Sequence, residues 1–280
     1  MTTVPLVKYH GLGNDFLVAL EADGLTGPAG EVPAELVRRL CDRHRGVGAD
    51  GLIVVRPPSS GGELAMELRN ADGSRAETSG NGLRCLALAV VDAGTAAERV
   101  VSIETDGGLI EASVGRPSGR CAEVRLTMGE AVVDPSPLAP AREIPEGFSA
   151  LRVEAANPHL VLLGTSLAGL DPAVAGPPLE SARPGGQNVE FVVPDGAGGL
   201  RLVVWERGVG LTAACGSGSC AAAAAARMEG LVGDVVTVHN PGGDLVVEMS
   251  GPAKRPAVAL TGPACRVARL EVELEPESCS

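Results

Sequence analysis

Aromatic residues are scarce in this chain: three Phe, one Tyr and one Trp make up 2% of its 280 residues. Hydrophobic residues as a class still reach 45%, so Val, Leu and Ala must build the cores. Basic charge is also in short supply, because 23 Lys and Arg stand against 35 Asp and Glu, giving a net charge of −12. An acidic chain repels phosphate backbones, which argues against a nucleic-acid partner.

Membrane and export signals are missing as well. The longest apolar stretch, Cys220–Met228, is a short alanine run ended by charge, whereas a membrane-spanning helix needs about 20 apolar residues. The opening residues, MTTVPLVKYHGLGNDF, lack the basic and apolar regions of a signal peptide. We therefore expect a cytoplasmic protein that has no membrane partner.

The seven cysteines are odd in number and irregularly spaced, and no Cys-x-x-Cys pair occurs. In a chain of this size that pattern favours reduced thiols over a disulfide framework. The four histidines are scattered, and no two of them have metal-ligand spacing. We expect no metal site.

The pattern of apolar residues predicts an α+β protein with many strands and a few helices. Helices are predicted at Pro33–Arg43, Leu83–Ala93 and Ser219–Glu229. Ala155–His159 is predicted as a loop between two strands. Gly46–Gly51 matches the dinucleotide pattern G-x-G-x-x-G, but a helix precedes it and a strand follows, the reverse of a Rossmann site. We interpret it as a structural turn.

An internal repeat organises the chain. Residues 79–85 read Ser-Gly-Asn-Gly-Leu-Arg-Cys, and residues 215–220 read Cys-Gly-Ser-Gly-Ser-Cys. Each segment is a small nucleophilic residue followed by Gly-x-Gly and an apolar helix. The repeat predicts two similar lobes facing one cleft, an N-terminal lobe of residues 1–118 joined by residues 265–280, and a C-terminal lobe of residues 119–264.

The two glycine turns suggest a chemistry. A helix N-terminus carries unpaired N–H groups and partial positive charge, so two such turns would hold the carboxylate of an amino acid. Its α-carbon would then lie near Ser79 and Cys215. A thiol at a helix N-terminus has a depressed pKa, which makes Cys215 a candidate general base. A lone cysteine in a turn is more often just a small buried residue, but the repeat reverses that preference.

Seven motifs in order resemble the diaminopimelate epimerase family, and they run from one end of the chain to the other. They are Lys8–Phe16 (KYHGLGNDF), Asp42–Gly51 (DRHRGVGADG), Arg69–Ser74 (RNADGS) before the first turn, Asn157–His159 (NPH), Gln187–Val189 (QNV), Glu206–Gly208 (ERG) before the second turn, and Leu260–Ala264 (LTGPA). The resemblance implies two lobes related by pseudo-twofold symmetry, each a sheet wrapped around a central helix.

The resemblance also implies a function. The family converts LL-diaminopimelate to the meso form, for lysine and peptidoglycan synthesis, by a two-base mechanism without pyridoxal phosphate or another cofactor. It further implies a homodimer. The bases would be Cys215 and residue 79, supported by His159 and Glu206. The residues implied in substrate binding are Asn14, Asn70, Gly80, Asn81, Asn157, Asn188, Arg207, Gly216 and Ser217.

This chain departs from the family pattern at Ser79, where the first turn normally begins with cysteine. A serine hydroxyl is a poor base unless a neighbour activates it. Leu211 is a second departure, since glutamate is common there.

Three explanations of Ser79 stay open. It can be an engineered change. It can be a natural Ser/Cys pair helped by a group such as His159, an arrangement that resembles proline racemases and hydroxyproline epimerases. It can also serve another reaction, such as β-elimination, although Asn70 and Arg207 argue against a smaller substrate. A non-catalytic amino-acid binding protein is a further alternative, against which the retained Cys215 speaks.

Overall fold

The computed structural model describes residues 2–27, 30–76, 78–95, 99–136 and 144–274. The chain divides into two compact units, of which the first holds the residues up to Arg125 and from Pro263 onward, and the second holds Leu126–Gly262. The sequence placed these limits at 118/119 and 264/265. Residues 275–280 of the predicted C-terminal segment lie outside the described residues.

The first unit is a sheet packed around one buried helix. Its elements are β1 (Thr2–Gly11), β2 (Asn14–Ala19), α1 (Ala34–Cys41), β3 (Gly51–Arg56), β4 (Leu64–Asn70), β5 (Arg75–Ala76), α2 (Gly80–Asp92), β6 (Val100–Thr105), β7 (Gly108–Val114) and the first half of β8 (Cys121–Glu130). Helix α2 is buried on nearly every side and contacts β1, β2 and β7. A helix that is apolar all round belongs in a core.

The second unit has the same construction. Its elements are the end of β8, then β9 (Val132–Asp134), β10 (Ser149–Ala155), β11 (Asn157–Leu163), α3 (Pro172–Ser181), β12 (Asn188–Pro194), β13 (Leu200–Glu206), β14 (Gly210–Thr212), α4 (Gly216–Met228), β15 (Val235–Asn240), β16 (Gly243–Ser250) and the start of β17 (Ala257–Leu274). The alanine-rich α4 is buried among β10, β11 and β12. No helix within the described ranges is long and apolar enough to cross a membrane.

One topology is repeated in the two units. Strand β1 pairs antiparallel with β2, β2 parallel with β3, β3 antiparallel with β4, and β4 parallel with β6. The second unit repeats this order with β10, β11, β12, β13 and β15. Each central helix lies between the short fifth strand of its repeat and the next long one. The predicted fold, two similar lobes with a sheet around a central helix, is confirmed within each unit.

Two predictions of local structure near the repeats are wrong. Asn157 and His159 lie in β11 and not in a loop, because Ala156 alone makes the turn, with a φ of 62°. The central helices begin at Gly80 and Gly216, three residues before the predicted starts at 83 and 219. Glycine lowers helix propensity, but the side chain of the preceding residue caps each helix and outweighs that preference.

The expectation of reduced thiols is wrong for one pair. Cys121 in β8 and Cys265 in β17, both in the first unit, form a disulfide although 144 residues separate them in sequence. Irregular spacing gave no sign that two distant strands bring them together. The free cysteines among the described residues are Cys41, Cys85, Cys215 and Cys220, all buried. Cys279 lies outside the described residues.

Candidate active site

The glycine turn of the second unit places Cys215 at the N-cap of α4. Cys215 has an extended backbone, and its sulfur accepts a hydrogen bond from the Gly218 N–H at 3.4 Å. The Ser217 hydroxyl lies 3.6 Å from the same sulfur. The thiol therefore faces two polar groups at the positive end of a helix, as the sequence predicts.

The pKa of this thiol contradicts the sequence-based expectation. Cys215 is only 6% exposed, and its burial raises the pKa of the thiol well above its usual value. The charges of Glu206 and Glu190 raise it further, and the contacts with Ser217 and Gly218 lower it too little to compensate. In the free protein Cys215 is thus a thiol, a proton donor, at neutral pH.

Glu206, at the end of β13, is the first acid beside Cys215. Burial raises the pKa of its carboxyl, a hydrogen bond from the Thr212 hydroxyl partly offsets this, and the charge of Glu190 adds to the rise. The thiol of Cys215 also hydrogen-bonds to this carboxyl. Glu206 therefore contacts the thiol and holds its own proton more tightly than an exposed carboxyl does, while its role in supporting the base stays a prediction.

His159 and Glu190 form a second buried group in the same unit. Both side chains are completely buried, and His159 Nδ1 lies 2.7 Å from Glu190 Oε1. Burial raises the pKa of Glu190, and its bond to His159 partly offsets the rise. Sequence reasoning identified His159 and missed Glu190. The available signal was an acid in the middle of the apolar strand VEFVV, since a strand buried on both faces has no other charge.

The other candidates in the second unit lie close to these groups along the chain and in the sheet. Asn157 starts β11, and Asn188 starts β12. The Asn188 Oδ1 accepts the Arg207 backbone N–H at 2.9 Å. The Arg207 guanidinium is exposed and donates to Gly185 O at 3.1 Å. This leaves most of its donors for a carboxylate ligand. Gly216 is buried and Ser217 half-buried in the first turn of α4.

The turn of the first unit is built in the same way around Ser79. Ser79 caps α2, and its Oγ accepts the Gly82 N–H at 3.1 Å. Gly80 follows as the first, buried residue of the helix. Cys85 is completely buried further along α2, where burial raises its pKa to about 12. It therefore does not replace the missing thiol, as the sequence predicts.

Two of the predicted asparagines of the first unit contact each other. Asn81 Nδ2 donates to Asn14 Oδ1 at 3.1 Å, and Asn14 Nδ2 donates to Asp50 Oδ2 at 2.7 Å. Buried Arg84 donates to Asn81 Oδ1 at 2.8 Å and so fixes that amide. Asn70 lies apart from this network, where its amide donates to Ser74 Oγ at 3.0 Å.

Carboxylates of the first unit are neutralised by basic residues. Glu67 bonds to both Arg56 and Arg69. Burial alone would raise the pKa of Asp15, but hydrogen bonds from Arg43 and Lys8 lower it to about 2. Asp15 therefore stays ionised at neutral pH, paired with Lys8 and Arg43.

Equivalent positions around the two turns carry different chemistry. The third residues of β2 and β3 are Phe16 and Ile53, whereas those of β11 and β12 are His159 and Glu190. A methyl group added at Gly82 would meet the Ile53 Cδ1 at 3.2 Å, and one added at Gly218 would meet Glu190 Oε1 at 2.9 Å. A buried histidine and acids with raised pKa values thus lie near Cys215, whereas the equivalent positions near Ser79 are apolar.

The described residues contain no group of three or more His, Cys, Asp or Glu side chains placed to hold a metal ion.

Comparison with known proteins identifies the family. The family model described as diaminopimelate epimerase matches residues 6–133 and 152–267. A diaminopimelate epimerase from Desulfitobacterium hafniense is 39% identical over 277 residues, which are 94% of this chain and 95% of that protein. One from Halorhodospira halophila is 39% identical over 280 residues, covering 95% and 94%.

Solved structures show the same fold. A PhzF-family phenazine biosynthesis protein from Bacillus anthracis superposes with a TM-score of 0.73 at 15% identity, covering 98% of this chain and all of that one. A hydroxyproline epimerase from Agrobacterium vitis, with bound trans-4-hydroxy-L-proline, has a TM-score of 0.70 at 22% identity, covering 97% and 91%. With the family-model match and the full-length relatives, this chain belongs to the diaminopimelate epimerase family.

Proposed function

We propose that this protein epimerises LL-diaminopimelate to meso-diaminopimelate by acid–base chemistry at the α-carbon, without a cofactor. The observation that supports this most is the group of buried Cys215, His159 and Glu190 with half-buried Glu206, all in one unit beside a helix N-terminus. Acids that are removed from water next to a thiol lower the stability of the fold, and acids with raised pKa values are typical of proton-transfer sites.

The reacting carboxylate would bind at the glycine turns. The N–H groups at the starts of α2 and α4, among them those of Asn81 and Ser217, are donors suited to an anion. Negative charge that develops on the carboxylate as the α-proton leaves is stabilised by these dipoles. A two-base mechanism requires that residues 79 and 215 act on opposite faces of the same α-carbon.

Cys215 would act as the general acid when LL-diaminopimelate reacts. Its raised pKa keeps the proton on sulfur in the free protein, so the thiol delivers that proton to the carbanion. Glu206, whose carboxyl also has a raised pKa, would return a proton to the thiolate. In the reverse reaction the same groups exchange roles: Glu206 takes the proton of the thiol, and the resulting thiolate removes the α-proton.

Ser79 would be the proton acceptor on the other face. An alkoxide is far harder to form than a thiolate, so Ser79 needs a base to take its proton, and we propose His159 for that role. We expect the pair Ser79 and Cys215 to react more slowly than two cysteines would, because the hydroxyl is the weaker acid.

The far end of the substrate would select diaminopimelate. Arg207 offers a planar fork that matches a carboxylate. The amides of Asn14, Asn70, Asn157 and Asn188 can bind both an ammonium and a carboxylate. A substrate without this second amino-acid group would lose all of these contacts. We also propose that the protein is cytoplasmic and a homodimer, as the family resemblance implies.

The direct test is conversion of pure LL-diaminopimelate by the purified protein, followed by chromatography that separates the LL and meso isomers. We expect meso product from the protein as it stands and a far slower formation of it by a Cys215→Ala variant. Tight binding of diaminopimelate without any conversion, in this protein and in a Ser79→Cys variant, would contradict the proposal and favour a binding protein.

A further inference from the structure

A buried acid in β12 has no role in the scheme above. Glu190 is completely buried, and its Oε1 lies 2.7 Å from His159 Nδ1. Within the part of the chain that the structure describes, Glu190 Oε2 and His159 Nε2 are buried without any hydrogen-bond partner. Such groups cost free energy in a core, so their presence needs a reason.

The fold itself does not require this pair. At the equivalent positions of the first unit, the third residues of β3 and β2 are Ile53 and Phe16. Those two side chains are buried and apolar, and the same topology forms around them. Replacing a buried ionic pair by apolar side chains is often neutral or stabilising. The first unit therefore shows that this topology forms with apolar side chains at both positions.

The space beneath the second turn fits the carboxylate. Gly218 is the third residue of α4, and a methyl group there would lie 2.9 Å from Glu190 Oε1. The missing side chain lets the carboxyl approach the first turn of the helix. From that position the negative charge of Glu190 also raises the pKa of the Cys215 thiol. The acid thus lies beside both His159 and the reactive thiol.

We propose that Glu190 is a positioning residue for His159. Its Oε1 accepts the Nδ1–H, which fixes the ring orientation and the tautomer and leaves the Nε2 lone pair free to accept a proton. When Nε2 takes that proton, the Nδ1–H stays in place and the carboxylate balances the positive ring. This inference rests on the proposed function, because the proton that Nε2 accepts is the hydroxyl proton that Ser79 gives up before it takes the α-proton.

The spectroscopic test needs no catalysis. A buried imidazole N–H donated to a carboxylate gives a proton NMR resonance at low field, because the bond is charge-assisted. We expect this resonance in the intact protein and its loss in His159→Gln. It should move strongly upfield in Glu190→Gln. Its absence from the intact protein, or its persistence unchanged in Glu190→Gln, would overturn the proposal.

The kinetic test separates positioning from structure. We expect Glu190→Gln to lower kcat by about 100-fold or more, since removing an orienting carboxylate behind a histidine can cost up to about 10⁴-fold, with KM within about twofold. Glu190→Asp should restore part of kcat. The matched control is Glu67→Gln, a buried acid of the first unit, which should lower the melting temperature and leave kcat and the resonance unchanged. A Glu190→Gln enzyme with unchanged kcat would contradict the proposal.

A double variant covers the case in which Glu190→Gln does not fold. His159→Phe with Glu190→Ile copies the first unit, so it should fold with an unchanged or higher melting temperature and lose activity. Unfolding of this variant would assign the pair a structural role and overturn the inference. If the intact protein and Ser79→Cys both fail to epimerise, the proposed function fails, while the NMR resonance still decides whether Glu190 positions His159.

Discussion

The two glycine turns have one geometry and two different surroundings. Ser79 and Cys215 cap equivalent helices with the same bond to the third helical residue. Around the first turn the neighbours are apolar or paired with arginine and lysine. Around the second lie buried Glu190 and His159 and half-buried Glu206, and no arginine or lysine bonds to their side chains in the described ranges. Two repeats of one topology thus differ in chemistry, and the two acids near the thiol with raised pKa values lie in the second.

The difference shows how a scaffold and a reactive centre can share one architecture. Ion pairs such as those of Glu67 hold charged side chains in fixed contacts, which suits a rigid scaffold. The acids near Cys215, which have no arginine or lysine partner among the described residues, have raised pKa values and can change state during a reaction. On this account, stability and proton transfer are divided between the units, and the division can be broken by substitutions on either side.

The largest effect is expected for Cys215→Ala. Loss of the general acid should lower the rate of epimerisation by about 10²- to 10⁴-fold. The matched control is Cys85→Ala in the first unit, whose buried thiol has no proposed role and should leave the rate within about twofold. Chromatography of the LL and meso isomers measures both. Equal losses of rate in the two variants would show that Cys215 has no special part in catalysis.

Glu67→Gln should destabilise the first unit. Its two arginines would lose their buried partner, which costs about 3 kcal/mol of unfolding free energy, measured by urea denaturation. Glu206→Gln should behave in the opposite way. Its raised pKa means that burial of its charge opposes folding above that pKa, so a neutral side chain leaves stability unchanged or higher. A larger loss of unfolding free energy in Glu206→Gln than in Glu67→Gln would contradict the division of stability and proton transfer between the units.

Arg207→Ala tests the end of the substrate that does not react. Hydrogen bonds to charged groups contribute about 1.5–3 kcal/mol, so KM should rise by about 10- to 100-fold while kcat changes little. Arg255→Ala, which removes an exposed arginine in the same unit, is the control and should leave KM unchanged. A fall in kcat with an unchanged KM would instead place Arg207 at the reacting carbon.

The smallest effect concerns the pH at which Cys215 reacts. Because the pKa of its thiol is raised, iodoacetamide labelling of Cys215 should increase steadily from pH 7 to 10 without levelling off. Glu206→Gln removes a negative charge beside the thiol, which lowers that pKa and should speed labelling at pH 8 by about 3- to 10-fold. Mass spectrometry of the labelled peptide measures the rate.

The control for this labelling experiment is Glu229→Gln, which changes an exposed acid just after the last turn of α4. It should leave the labelling rate of Cys215 unchanged. Preferred labelling of Cys41 or Cys85 over Cys215 in the folded protein would speak against the site, because Cys215 is the most exposed free cysteine of the described residues.

Sequence reasoning reached the parts of the molecule that local chemistry determines. The two Gly-x-Gly turns, the apolar helix after each turn and the burial of Cys85 follow from residue type and spacing. The helix at Pro172–Ser181 was missed, since Pro177 and Pro178 lie inside it and proline argues against a helix interior. Neighbours along the chain were not enough to reveal it.

The rest depends on contacts between distant strands. The bond between His159 and Glu190 joins β11 to β12, and the Cys121–Cys265 disulfide joins β8 to β17. Neither pair is marked by spacing in the sequence. The direction of the Cys215 pKa was also out of reach, because it depends on how deeply the thiol is buried and on two acids from other strands. A helix N-terminus alone predicts the opposite shift.

The central claim is that Cys215 exchanges protons efficiently and Ser79 limits the reaction. The most direct measurement is proton NMR in D₂O with LL- and meso-diaminopimelate, on this protein and on Ser79→Cys. The account predicts deuterium uptake with inversion in the protein as it stands, and an increase of about 100-fold in Ser79→Cys. No deuterium uptake and no inversion with either protein would contradict the account.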